Sequence, residues 1–401
     1  MQSLKRWRGD GDSFYAAKRL EERRLYLIFD DWPWGYSICE IDLRVSTSQK
    51  AASSQNGAAA SGNGAAASSE GADRHLPQPI ICLEAPRGYP LFFAAVGTRI
   101  VATHPRDPWD DGSVPGDFMP IVDVRSRGVT FGPGQMDHDI PIYLPVHNGL
   151  LALDNCTFSM LSFEPLWPPR LEIRRSSNDG WSWRKLPEPP FSRLDVTAYI
   201  VSPDETMIMV STNEGTFTLD IGKIDTEELV WMPSCNQWTL PFTGRGYFVS
   251  CLGTNVGLSK DPATLGHLVG AADGGKLKLC KEKLFSQDPA ETHVGATLIH
   301  MQDGNGDGNE FCLVQCVSVE HGNDDQELKE GGEEVPIEHG DDDQELKEGG
   351  SRHLYRLTTF SVSYDNNGDL TTGGTCKVQC YKVPKQTTER FLDGDPVAFW
   401  L

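Results

Sequence analysis

Apolar runs of β type, broken by Gly- or Asp-centred turns, recur along the chain. Several close on a Trp with Leu-Pro or Pro-Phe just behind it. The clearest copy is Trp181-Ser-Trp183-Arg-Lys-Leu186-Pro187-Glu-Pro189-Pro190-Phe191. Another runs through Trp231-Met-Pro to Trp238-Thr-Leu240-Pro241-Phe242. Strand-type segments fall at Arg24–Asp31, Leu91–Val96, Arg99–Ala102 and Met119–Val124, then from Ile140 to Phe191 and from Val196 to Trp238. Pairs follow at Gly246–Cys251 with Asn255–Leu258, at Leu265–Val269, and at Gly295–His300 with Phe311–Val317. A last unit spans His353 to Val383. No segment sustains a 3.6-residue apolar period, so the predicted class is all-β. A module too small to bury its own apolar face, repeated along a chain, predicts a radial or stacked architecture.

Two stretches interrupt the pattern. Residues 46–74 are Ser, Ala, Gly, Asn and Gln with two Ala triplets, which predicts a flexible loop. Residues 320–350 hold a tandem duplication: Val317–Gly332 returns as Val335–Gly350 with three changes. The repeat is polar and acidic and predicts a disordered loop between two strands. It carries 13 acidic side chains and two lysines, a net −11 of the chain's −21. Residues 1–23 read as a charged, mobile leader, too short for an F-box, with the folded body over 24–401. Without the two loops, the chain length suits six blades of about fifty residues each. Leu-Pro-x-Pro-Pro ends a strand because Pro cannot continue a ladder, and the nearby Trp is placed to pack on a neighbouring blade.

The units resemble degenerate kelch-type blades. They are closer to a plant family, expanded in grasses, of kelch-like or F-box-associated β-propellers catalogued as a domain of unknown function. The resemblance rests on Val96-Gly-Thr-Arg-Ile-Val101 with Val122-Asp-Val124, and on Trp183-Arg-Lys-Leu-Pro-Glu-Pro-Pro-Phe191. It continues in Tyr199–Asp204, Gly215-Thr-Phe217, Trp238–Arg245, Leu357–Phe360, Tyr364–Gly368 and Pro396–Trp400. It implies a kelch-like β-propeller and a protein-interaction role akin to substrate receptors of ubiquitin ligases. It carries over no catalytic residues.

Composition narrows the function. A net charge of −21 argues against binding a phosphate backbone. No run of 18 apolar residues predicts a membrane span, and the N-terminus lacks the apolar core of a secretory signal. The expectation is an intracellular protein, cytoplasmic or nuclear, with its ten Cys reduced.

Candidate chemistry is sparse. Cys312 and Cys316, and Cys376 and Cys380, are spaced i, i+4, which on a strand separates each pair by about 13 Å. A zinc site would need both strands side by side, so buried thiols are the favoured reading. Asp303-Gly-Asn305-Gly-Asp307-Gly308 has the oxygen spacing of a calcium loop, but Val314 stands where the closing Glu belongs. The acidic repeats, with His321 and His339, read as a solvated loop. Nucleophile elbow, zincin, phosphate-loop and dinucleotide motifs are all missing from the sequence. No catalytic, cofactor or metal residue is therefore assigned. The expected function is a non-catalytic scaffold, monomeric, with a protein partner. The alternative is a kelch-type enzyme with His, Tyr or carboxylates converging on the central channel.

Overall fold

The computed structural model describes residues 23–43, 73–104, 119–132, 139–146, 149–155, 157–162, 183–226, 228–234, 238–271, 277–302, 308–319, 352–374 and 376–401. All of the 1–23 leader but Arg23, most of the Ser/Ala/Gly stretch, the acidic repeat (320–350) and residues 303–307 of the calcium-like turn lie outside the described residues.

The described chain is built of six four-stranded antiparallel units. Unit I contains β1 (Leu25–Trp32), β2 (Gly35–Ile41) and β3 (Ile81–Glu84). Unit II is β4 (Phe93–Val96), β5 (Arg99–Ala102), β6 (Met119–Asp123) and β7 (Gly128–Gly132). Unit III is β8 (Ile142–Val146), β9 (Gly149–Leu153), β10 (Phe158–Ser162) and β11 (Trp183–Lys185). Unit IV is β12 (Val196–Val201), β13 (Met207–Thr212), β14 (Thr216–Asp220) and β15 (Trp231–Pro233). Unit V is β16 (Phe242–Val249), β17 (Thr254–Ser259), β18 (His267–Ala271) and β19 (Leu277–Lys283). Unit VI begins with β20 (Glu291–His300), β21 (Glu310–Val319) and β22 (Arg352–Ser361). A short pair, β23 (Ser363–Tyr364) and β24 (Leu370–Thr371), then touches β19 through Cys280 and Leu370 before β25 (Lys377–Lys382) completes the unit. The last strand, β26 (Ala398–Trp400), returns to unit I and pairs with β1.

Six apolar cores lie between consecutive units and close a ring. Tyr36, Ile38 and Val122 join I to II, Val101 and Leu150 join II to III, and Val210 and Leu151 join III to IV. Ile200 and Val269 join IV to V, Val256 and Leu313 join V to VI, and Val314 and Leu27 join VI back to I. This is a β-propeller, in which radial repetition leaves only short sheet edges. The period-two geometry of a strand explains why inner runs are apolar throughout rather than alternating. In β1, Leu25, Leu27 and Phe29 enter the VI–I core while Tyr26 and Ile28 enter the I–II core. The Trp expectation holds at Trp231, which is buried between III and IV, its ring centroid 5.4 Å from Phe158 and 5.2 Å from Phe191.

Two readings of the sequence need correction. The segments Gly295–Val317 and His353–Val383 form one sheet rather than two units, because β21 and β22 pair along their full length from Glu310↔Ser361 to Val319↔Arg352. The 46–74 loop also ends early. Arg74 bridges to Tyr381 and exchanges backbone hydrogen bonds with Cys380 and Lys382, while Asp73 pairs with Arg352.

The ring is shut by the two ends of the described chain. Arg24 and Leu401 exchange backbone hydrogen bonds at 2.8 and 3.1 Å. Above them a latch forms on Asp30, which is fully buried. Its Oδ1 accepts from the backbone N–H of Thr388 at 2.9 Å, and its Oδ2 accepts from the N–H of Gly88 at 2.9 Å and from the Thr388 hydroxyl. Thr388 caps a single helical turn, α1 (Glu389–Leu392), and Arg87 donates to the Asp30 carbonyl. Three chain segments distant in sequence thus meet on one carboxylate.

Close packing on one ring requires glycine at two positions. A Cβ on Gly257 would stand 2.6 Å from Phe242 Cγ, and one on Gly246 would stand 2.4 Å from the same ring. Phe242 is fully buried, so it cannot yield freely. Gly257→Ala is expected to cost about 1–3 kcal/mol by overpacking, measured as a lower denaturant midpoint at unchanged slope.

Candidate functional site

The order of strands assigns each described link and turn to one of two faces. Each inner strand (β4, β8, β12, β16, β20 and β26) starts on the same face, here called proximal. β12 and β16 pair in parallel through Ala198↔Gly244, Tyr199↔Arg245 and Ile200↔Gly246. The links between units and the turns between second and third strands therefore open on the proximal face. These include the β1–β2 turn, residues 85–92, 186–195 and 260–266, and the segment 384–397. The acidic repeat leaves the sheet at Val319 and returns at Arg352, between the second and third strands of unit VI, so its two anchors stand on this face too.

Large apolar side chains are exposed there. Trp34 sits in the β1–β2 turn at 68% exposure, Leu194 precedes β12 at 68%, and Leu265 precedes β18 at 46%. None contributes to a core.

A second group of residues converges on the axis near the proximal end. Tyr199 and Arg245 are register partners on adjacent inner strands. Arg193 lies in the turn that leads into β12, and Tyr247 lies two residues beyond Arg245 with its ring 4.9 Å from that guanidinium carbon. Asp395 precedes β26 and accepts at Oδ1 from the N–H of Ala296 on β20 at 3.0 Å. Burial raises the pKa of the Tyr199 phenol; the charges of Arg245 and Arg193 oppose that shift and Asp395 adds to it. Groups from units IV, V and I therefore act on one hydroxyl. Tyr199 packs against the III–IV core and Tyr247 against the V–VI core, and both keep some accessible surface.

The arrangement sets two guanidinium groups beside two protonated phenols. Burial keeps both phenols protonated at neutral pH, and the Tyr247 hydroxyl donates to the Leu298 carbonyl at 2.9 Å. Burial raises the pKa of Asp395, partly offset by the Ala296 N–H and by His293. Burial lowers the pKa of His293, which stacks on Phe285 at 4.2 Å and meets Gln315 at 3.2 Å through Nδ1.

The cysteine pairs do not assemble a metal centre. Cys312 and Cys316 are buried on β21 in the VI–I core, and Cys380 sits on β25, with β22 between the two strands. Strands two apart stand about 10 Å from each other. Burial pushes both Cys312 and Cys316 up to about 12, as expected of inert thiols. Among the described residues no group of three His, Cys, Asp or Glu is placed to hold a metal, and no helix is long and apolar enough to cross a membrane.

The axial residues were not singled out from sequence, although a signal was present. Pro190-Phe191 is followed by Arg193 and Tyr199, and Pro241-Phe242 by Arg245 and Tyr247. The same Pro-Phe, Arg, Tyr order leads into β12 and lies within β16, with different spacings.

Residues 22–381 match a family described as "Protein of unknown function (DUF1668)". No curated protein matches the chain. Among solved structures, a protein of unknown function from Bacteroides thetaiotaomicron is similar at 11% identity and a TM-score of 0.31 over 56% of this chain. The chain spans about half of that protein's length, 53%. A provisionally named 6-phosphogluconolactonase from Bacteroides uniformis is similar at 10% identity and a TM-score of 0.43, over 95% of this chain and 100% of that one. The WD40 domain of SCAP from fission yeast is similar at 10% identity and a TM-score of 0.26, over 71% of this chain and 61% of that one. At such identities and TM-scores nothing of those proteins' activities transfers to this chain.

Proposed function

The chain belongs to the DUF1668 family of proteins of unknown function, and we propose that it is a non-catalytic, monomeric scaffold that binds a protein partner on its proximal face. The exposed Trp34 carries this reading. A Trp at 68% exposure on a two-residue turn of a rigid sheet is an anchor whose desolvation awaits a partner. Leu194 and Leu265 on the same face supply further apolar contact, and the ring beneath holds the loops in fixed positions. A net charge of −21 favours a partner with basic residues at its rim over a nucleic acid. The resemblance to F-box-associated propellers directs the search to clients of ubiquitin ligases and their cullin-linked adaptors.

The test is affinity purification from the source organism with the intact protein, beside Trp34→Ala and Leu194→Asp variants of matched thermal stability. A consistent partner is expected with the wild type, with affinity falling about 30-fold or more on loss of the Trp anchor. Equal recovery by all three proteins, or no specific partner with the wild type, would overturn the reading.

A second reading is a small-ligand site on the axis. The Arg193, Tyr199, Arg245 and Tyr247 group favours it.

A further inference from the structure

We propose that the proximal mouth of the central channel is a binding site for a small dianionic oxyanion of the phosphate class, held by the guanidinium groups of Arg193 and Arg245 beside the Tyr199 hydroxyl.

The first observation is an imbalance. The chain has 57 acidic side chains against 36 Lys and Arg, so a basic group has ample opportunity to find a carboxylate. Arg24, Arg87, Arg127, Arg184, Arg352 and Arg356 all do so within 4.0 Å. Arg193 and Arg245, grouped around Tyr199, form no ion pair with any described residue, a property they share with Arg74, Arg125 and Arg390. Arg193 Nε is buried and has no hydrogen-bond partner among the described residues. Arg245 lays its guanidinium on the Tyr247 ring, which fixes its plane and leaves its N–H edge free. The Tyr199 hydroxyl likewise has no protein partner among the described residues.

The second observation concerns the nearby carboxylates. Asp154 acts on Arg193 through its charge, but its two oxygens accept from the N–H groups of Asp139 and Ile140 at 3.0 and 2.9 Å. Asp395 holds the Ala296 N–H with Oδ1. It is also fixed by close backbone packing, since a Cβ on Gly295 would stand 2.9 Å from the Gly394 carbonyl oxygen. Both acids are thus committed to shaping the backbone. Among the described residues neither guanidinium is in direct contact with these carboxylates, so both keep N–H donors for a ligand.

An unpaired, partly desolvated guanidinium is costly, and an oxyanion is the ligand that best relieves it. Planar N–H forks match the tetrahedral oxygens of phosphate with charge-assisted hydrogen bonds. A second fork and one hydroxyl suit a dianion rather than a monocarboxylate. Low-dielectric walls of Tyr199 and Tyr247 strengthen each contact. Burial lowers the Arg193 pKa, and the charges of Tyr199 and Asp154 oppose that shift.

The experiment uses the full chain and inorganic phosphate, with acetate as the carboxylate arm, by isothermal titration calorimetry at constant ionic strength. Saturable one-to-one phosphate binding is expected, with acetate at least 10-fold weaker. Arg245→Gln and Arg193→Gln are each expected to weaken phosphate about 10- to 100-fold, the range for losing a hydrogen bond to a charged group. Arg245→Lys should recover part of that loss, since the charge returns without the fork. Unchanged phosphate affinity in the double Gln variant would place binding elsewhere and overturn the proposal. Failure to saturate below about 10 mM, a free energy of under about 3 kcal/mol, would overturn it too. Stronger binding of acetate than phosphate would overturn the choice of ligand class. The scaffold reading rests on Trp34 and its partner assay, so either conclusion can fail while the other stands.

Discussion

Asp30→Ala is expected to destabilise the protein by about 3–5 kcal/mol, the cost of deleting one member of a buried, charged hydrogen-bond network. The carboxylate accepts from two backbone N–H groups and one hydroxyl, on Gly88 and Thr388, and all three would be stranded by the truncation. The loss falls where the ring is joined, because Asp30 ties β1 to the unit I–II link and to the segment before β26. That segment carries the Thr388 cap of α1, whose Phe391 enters the I–II core. Asp30→Asn keeps one acceptor oxygen and the side-chain volume, so about half the effect is expected. Urea unfolding at neutral pH checks both values. A cost under about 1 kcal/mol for the Ala variant would mean that water replaces the carboxylate and that the latch does not hold the ring. Limited proteolysis adds a positional readout, with cleavage appearing first within 384–397.

Much of the fold was legible because its determinants are local. The all-β class follows from short branched and aromatic runs, and turn residues separate the strands of units II, III and IV close to where they end. Closure was not legible. Ala398, Phe399 and Trp400 join Leu25, Tyr26 and Leu27 across nearly the whole chain, and no short-range pattern announces a pair so distant. The merging of the last two segments into one sheet was hidden for a similar reason. The long insert between Val319 and Arg352 reads as a boundary, yet its ends are register partners. The buried-thiol reading holds for Cys312 and Cys316, which i, i+4 spacing on β21 sends to one face, but not for the second pair: Cys376 precedes β25 and is exposed, and Cys380 is only half-buried. The axial cluster escaped because Arg193, Tyr199, Arg245 and Tyr247 are individually unremarkable polar residues. Only the parallel pairing of β12 with β16 brings them to one place. The Asp30 latch was equally invisible: an Asp at the end of a β run reads as a turn residue until Thr388 is seen to lie against it.

Acid is expected to destabilise the protein below pH ~6.5 through His104, even though no acidic partner is involved. The imidazole is 7% exposed and sits in an aromatic cage, 4.8 Å from the rings of Tyr36 and Phe93 and 5.6 Å from Phe92. Its Nε2 lies 3.2 Å from the Tyr89 carbonyl, an acceptor, so Nε2 carries the hydrogen. Its Nδ1 is buried without a partner among the described residues, and a proton added there would have none of them to bond to. Burial therefore pushes the pKa down to about 3, against the slight upward pull of the Tyr89 carbonyl. The unfolded chain takes up a proton near pH ~6.5 that the folded protein refuses until about pH 3. His104 thus costs nothing above pH ~6.5. As pH falls below that value, stability is lost at up to about 1.4 kcal/mol per pH unit, or roughly 2–3 kcal/mol by pH ~4.5. His293 and His353 are also held below their ordinary values by burial and add slope of the same sign. The difference between wild type and His104→Phe isolates the one residue, because the other histidines are common to both. At pH ~7.5 that substitution should change stability by under about 2 kcal/mol, since one hydrogen bond is lost while an unsatisfied nitrogen is removed. Between pH ~7 and ~4.5 the variant should then lose about 2–3 kcal/mol less than the wild type. Parallel pH profiles would show that His104 is protonated in the folded state, which requires the cage around Tyr36 and Phe93 to open to water in acid.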